Sequence, residues 1–136
     1  MKTLVIFYSY TGKTKAIAQK LAAEESADTA EILDAKRPGK LKAFVLGCPA
    51  SIRGKSWPIK PITADLAAYD KLIMLAPVWA DNVPPAFNSA LDALPKGKTV
   101  SVKLISASGK SNCKTRLESA ITAKGCKLDG FEDIKA

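Results

Sequence analysis

The 136-residue sequence has no histidine. A Ser-His-Asp triad and a Cys-His pair are therefore impossible, and a metal would have to rest on carboxylates or isolated thiols. Cysteine is scarce as well: Cys48, Cys113 and Cys126 are odd in number and show no C-x-x-C spacing, which speaks against a disulfide framework or a zinc site. Long apolar runs are missing, since the stretch from Leu72 to Ala80 is far too short to span a bilayer. The amino terminus imitates a signal peptide, with Lys2 before an apolar run and Ala16-Ile17-Ala18 as a cleavage pattern. Lys13 and Lys15 lie between the two, where such a peptide is uncharged, so a cytoplasmic address without membrane attachment is expected. No repeat, linker or low-complexity tract divides residues 1–136, and one domain around one core is the expectation.

What is present is an ordinary globular mixture, 47% hydrophobic and 25% charged, with 21 Lys and Arg against 13 Asp and Glu. The cations are scattered along the chain, and the few aromatic residues fall mostly in apolar runs, so no specific nucleic-acid partner is expected. The net charge of +8 reads as a solvated basic surface.

Apolar patterning divides the chain into alternating strands and helices. Residues 3–8 and Lys71–Ala76 are continuously apolar, as strands buried on both faces must be, and should lie side by side at the centre of a parallel sheet of order 2-1-3-4-5. A weaker second strand near Ala30 to Leu33 reads as an edge. After the break at Pro38-Gly39, Leu41, Phe44, Val45, Cys48 and Ile52 recur at helical spacing. A helix over about 40–53 follows, with Pro49 as a possible kink and a strand over Ala43 to Leu46 as the rival reading. Lys55 to Pro61 reads as an extended surface connection. Pro84-Pro85 opens a helix with Phe87, Ala90, Leu91 and Leu94 inward. The strand Thr99 to Ser106, a helix over about 112–124 with Cys113, Leu117, Ala120 and Ile121 inward, and a last strand within 126–135 complete the order, with no helix after it.

Three polar loops then fall at the carboxyl ends of strands one, three and four, where open α/β sheets bind ligands. In the first, Ser9-Tyr10-Thr11-Gly12-Lys13-Thr14 joins a buried strand to a helix. That junction aims backbone N–H groups and the positive helix end at one point, an anion site suited to phosphate. Gly12-Lys13-Thr14 could end a Walker A loop, but Phe7 stands where that motif needs its first glycine, and no acidic residue ends the third strand to hold magnesium. A G-x-G-x-x-G fingerprint is absent as well. A short loop of hydroxyls and one glycine fits a monophosphate ester better. The second loop, Pro77-Val78-Trp79-Ala80-Asp81-Asn82, offers Trp79 either as a platform for a planar ring or as a partly buried core residue; its place beside the phosphate loop favours the platform. The third is Ser106-Ala107-Ser108-Gly109.

These three loops in this order resemble the flavodoxin family over nearly the whole chain. The resemblance implies a flavodoxin-like three-layer α/β sandwich binding FMN non-covalently, without the final helix of many members. It places residues 9–14 on the phosphate, 77–82 beside the isoalloxazine ring and 106–109 on its edge. Lys13 and Asp81 depart from the usual Asn and Gly: Lys13 either faces solvent or adds a cation near the phosphate, and Asp81 tolerates positive φ better than most residues. The implied function is an FMN-dependent redox protein, in first place an electron carrier serving a partner protein, with an NAD(P)H-dependent quinone or flavin reductase as the alternative. A non-catalytic nucleotide-binding module is the alternative of another class. No residue presents itself as a catalytic acid or base, the cysteines read as structural, and a homodimer is compatible with an uncovered sheet face. Family carriers are often acidic; a +8 surface favours the negative reduced flavin, so a less negative midpoint potential is expected.

Overall fold

The computed structural model describes residues 2–36 and 39–136. Five parallel strands, β1 (Thr3–Phe7), β2 (Asp28–Glu31), β3 (Lys71–Pro77), β4 (Thr99–Ser106) and β5 (Lys127–Lys135), form one sheet of order β2-β1-β3-β4-β5. The two continuously apolar segments pair at its centre, from Thr3 beside Lys71 to Phe7 beside Leu75. Both sheet faces are covered there, so neither strand alternates polar and apolar residues. The edge strand β2 begins two residues before its predicted start. Its pairing extends to Ile32, whose N–H donates to the Phe7 carbonyl.

Helix α1 (Lys13–Glu25) covers one face, packing Ala18 and Ala22 on Val5, Phe7, Ile73 and Leu75, with Ile17 and Leu21 half-buried beside them. The other face holds the larger core. There Phe87 and Leu91 from one helix (Pro85–Asp92) and Leu117 and Ile121 from another (Lys114–Ala123) meet Leu4, Ile6, Leu72 and Met74. Pro85 opens the first of these helices, where a missing N–H removes no bond. The result is the expected three-layer α/β sandwich. On the α1 side of the sheet β4 carries Lys103, whose ammonium lies 2.8 Å from Glu132 on β5. None of the described helices is long and apolar enough to cross a membrane.

The segment predicted as a helix over about 40–53 is helical, not a strand, in three pieces: α2 (Lys40–Lys42), a π-helical turn (Ala43–Gly47) and α3 (Cys48–Ile52). Pro49 causes no break because it falls in the first turn of α3. The residues at helical spacing do not form its buried face. Leu41, Val45 and Ile52 are exposed and Cys48 is half-buried, whereas Ala43, Gly47 and Ser51 face inward. The π turn shifts the phase of the helix. Aromatic rings also fill the space beneath it, and a Cβ on Gly47 would stand 2.7 Å from Trp79 Cζ3. Only small side chains fit on that side. Pro38 and the side chain of Phe44 lie outside the described residues. The stretch from Lys55 to Pro61 is less superficial than predicted, because Trp57 is half-buried and its N–H donates to Ser89 Oγ.

With the two short pieces numbered α2 and α3, the helices on the larger core are α4 (Pro85–Asp92) and α5 (Lys114–Ala123).

Candidate functional site

The chain leaves β1 through Tyr8, which is buried, and turns at Gly12 with φ +98° into α1. This is a left-handed conformation that glycine adopts without steric cost, and the space around its Cα is open. Ser9 Oγ accepts hydrogen bonds from the N–H groups of Gly12 and Lys15, both 3.1 Å, which leaves its own proton available for a ligand. Thr11, Gly12 and Lys13 are exposed, and Ser9 and Tyr10 half-buried. Thr14 is 3% exposed. Lys15 pairs with Glu31 at 3.5 Å, while Lys13 has no ion pair among the described residues.

At the end of β3, Trp79 and Asn82 exchange backbone hydrogen bonds of 2.8 and 3.0 Å across Ala80 and Asp81, whose φ values are +50° and +64°. Positive φ at both central residues is the pattern of a type I′ turn. For Ala80 that conformation costs about 1–2 kcal/mol. The turn exposes Ala80 and Asp81 and leaves Pro77, Val78, Trp79 and Asn82 half-buried. Trp79 is not a free platform. Its ring stands edge-on to Tyr8, Tyr10 and Trp57, with centroids 6.0, 5.7 and 6.0 Å away. Asp34, in the loop that follows β2, ties this cluster down, accepting from the Tyr8 hydroxyl at 2.7 Å and the Trp57 indole at 3.0 Å.

The loop after β4 turns at Gly109, φ +70°, whose N–H donates to Ser106 Oγ at 3.0 Å. A Cβ there would stand 2.9 Å from Lys135 Cβ, so the close approach of β5 requires glycine. Ala107 and Ser108 are exposed, and the Ser108 hydroxyl accepts from the Lys110 N–H. The Asn112 N–H donates to the Asp81 carbonyl at 2.8 Å, which joins this loop to the tryptophan turn. Arg116 of α5 fastens both to the helical segment, donating to Asn82 Oδ1 and the Ser51 carbonyl, each at 3.1 Å. Cys113, at the start of α5, is buried, and burial pushes its thiol above the ordinary range.

All three predicted loops thus lie on the carboxyl edge of the sheet, the first touching the second through Tyr10 and Trp79, the second bonded to the third. Between Tyr10-Thr11 and the helical segment opens a pocket of about 310 Å³, lined also by Lys40, Ala43, Cys48 and Trp79 and mostly apolar. That volume is at the lower end of small-molecule sites. Among the described residues no group could hold a metal ion. The residues missed by sequence reasoning are Asp34, Gly47, Trp57, Cys48 and Arg116. Asp34 and Arg116 are single charges with no motif around them, and Gly47 and Cys48 belong to a helix whose buried face carries small residues that apolar spacing does not mark.

The sheet order and the loops on its carboxyl edge put the chain in the flavodoxin-like class. Residues 1–124 match the family described as NADPH-dependent FMN reductase, and the chain belongs to that family. It is an FMN-binding flavoprotein. Among solved structures, a flavoprotein from Lactobacillus acidophilus in complex with FMN is 24% identical, with a TM-score of 0.77 over 96% of this chain and 91% of that one. Oxidised flavodoxin 1 from Bacillus cereus is 21% identical, with a TM-score of 0.57 over 100% of this chain and 86% of that one. A WrbA-like flavodoxin from Agrobacterium tumefaciens is 17% identical, with a TM-score of 0.60 over 93% and 74% of the two chains. No curated protein matches the chain.

Proposed function

We propose that the chain acts as one flavodoxin-like unit that takes a hydride from NADPH onto FMN held at these three loops. FMN, when bound, supplies the two-electron and one-electron chemistry. The observation that carries the reading is the pocket of about 310 Å³ running from the helix-opening loop at Thr11 to the apolar wall at Ala43 and Trp79. The residues present fit the cofactor: an anion site at the start of α1, an apolar chamber beside it, and polar loops on the rim.

In this reading the phosphate ester lies against Ser9, Thr11, Gly12 and Lys13. The Ser9 hydroxyl can donate to it while continuing to cap α1. Thr14 is buried in the first turn and positions the loop from beneath. Tyr10 and Trp79, in edge-on contact, wall the ring with apolar surface. The exposed Ala80-Asp81 turn stands beside the ring edge, its two carbonyls held by the Asn82 amide and the Asn112 N–H and Asn82 anchored by Arg116. Ser106, Ala107, Ser108 and Gly109 line the far rim, and the basic surface draws in a phosphorylated nicotinamide.

The test is steady-state oxidation of NADPH by the FMN-loaded protein with a quinone as acceptor. Turnover that depends on both FMN and NADPH is expected. A protein that binds FMN and fails to oxidise NADPH, yet is reduced rapidly by a flavodoxin reductase, would be an electron carrier instead.

A further inference from the structure

The segment from Lys40 to Ile52 turns its large apolar side chains to solvent. Leu41 is 76% exposed, Val45 52%, Leu46 53% and Ile52 53%; among the described large hydrophobic residues only Leu33 joins them. A grouped apolar face of this kind marks an interaction site. The stretch of chain that carries it is of one charge. Between Asp34 and Asp65 the sequence has no Asp or Glu and seven Lys or Arg, of which Lys36, Lys40, Arg53, Lys55 and Lys60 are exposed. The inner side of the same segment touches the aromatic cluster, with Gly47 against Trp79 and Trp57, and lines the pocket through Lys40, Ala43 and Cys48.

Charge selects the occupant. A second copy would bring the same cations onto this face, and like charges set opposite each other oppose association. A membrane-lying helix keeps one apolar face in register along its length. In this segment a π turn shifts that register, and the helical pieces flanking it are three and five residues long. An acidic protein with an apolar centre to its docking face complements both the cations and the patch.

We propose that this face is the docking surface for an acidic one-electron carrier protein. Carboxylates of the carrier meet Lys36, Arg53, Lys55 and Lys60 while its apolar centre covers Val45, Leu46 and Ile52. The electron path rests on the flavin reading above; the docking itself does not. NADPH delivers two electrons as a hydride, and each oxidised carrier leaves with one. One NADPH and two oxidised carriers thus give NADP⁺, one proton and two reduced carriers.

The probes are cytochrome b5, acidic around its haem edge, and cytochrome c, basic around its own. The full chain, supplied with FMN, is titrated into isotope-labelled cytochrome b5 and followed by NMR, which registers docking whether or not flavin is bound. Shifts confined to the acidic face are expected, with affinity falling about tenfold between roughly 20 and 200 mM salt. Cytochrome c should show none. Leu46→Asp and Lys55→Glu, neither of which lines the pocket, should each weaken docking about fivefold with unchanged circular dichroism and FMN affinity. Stopped-flow reduction of cytochrome b5 by the reduced holoprotein should fall in the same order. Absence of association with cytochrome b5, equal association with cytochrome c, or indifference to both substitutions overturns the proposal. So does binding to phosphatidylserine vesicles, or a dimer, that Leu46→Asp abolishes in place of cytochrome b5 binding. Docking without FMN uptake supports the surface and refutes the flavin reading.

Discussion

Helix α4 and the segment Lys40–Ile52 both carry apolar residues at helical spacing, and they turn them in opposite directions. In α4, Phe87, Ala90 and Leu91 are buried against the sheet, as their spacing predicts. In the other segment Leu41, Val45, Leu46 and Ile52 face water while Ala43, Gly47 and Ser51 face the protein. Periodicity reports that a helix has two faces; what lies opposite decides which one is buried. Opposite α4 lies an apolar sheet with room for large side chains, and opposite Gly47 lie two tryptophan rings with none.

Truncation separates the two most sharply. Phe87→Ala should lose about 3–5 kcal/mol of unfolding free energy. Leu46→Ala should change it by less than about 0.5 kcal/mol. Equal losses in denaturant melts would mean that the outer face of the segment is covered in solution, and the contrast would collapse. On the inner face the order reverses. Gly47→Val has to displace Trp79 and should destabilise by about 1–3 kcal/mol. It should also weaken FMN binding, because the pocket wall moves with the ring. A neutral Gly47→Val would show that the packing is loose.

The cysteines give the smallest expected effect. Cys48 lies half-buried on the open segment and Cys113 is buried beneath the third loop. Burial raises the Cys113 thiol, so the folded state holds its proton at a pH where the unfolded chain has released it. The stability this confers is fully present below about pH 9 and declines as pH rises toward the folded value. Cys113→Ala should therefore flatten the alkaline dependence of Tm relative to its own neutral value. In native protein iodoacetamide should label Cys48 first.

The sheet was legible because β1 and β3 are continuously apolar, a pattern that only central parallel strands require. The three loops were legible because each follows such a strand. Less could be read where function depends on shape instead of composition. Nothing in the sequence marks Asp34 as the shared acceptor of Tyr8 and Trp57, or Arg116 as the tie between the tryptophan turn and α3. Trp79 was read as a platform from its neighbours in sequence; its edge-on packing depends on Tyr10 and Trp57, which reach it only through the fold.

The central claim is that the loop from Ser9 to Thr14 anchors the phosphate of FMN, and comparing FMN with riboflavin tests it most directly. Riboflavin has the same ring without the phosphate. Titration of each flavin with the protein, followed by quenching of flavin fluorescence, should give one site that holds FMN at least about a hundredfold more tightly, equivalent to about 3 kcal/mol. Ser9→Ala should narrow that ratio. Equal affinity for the two flavins, or fluorescence that FMN keeps in full on mixing, would contradict the account.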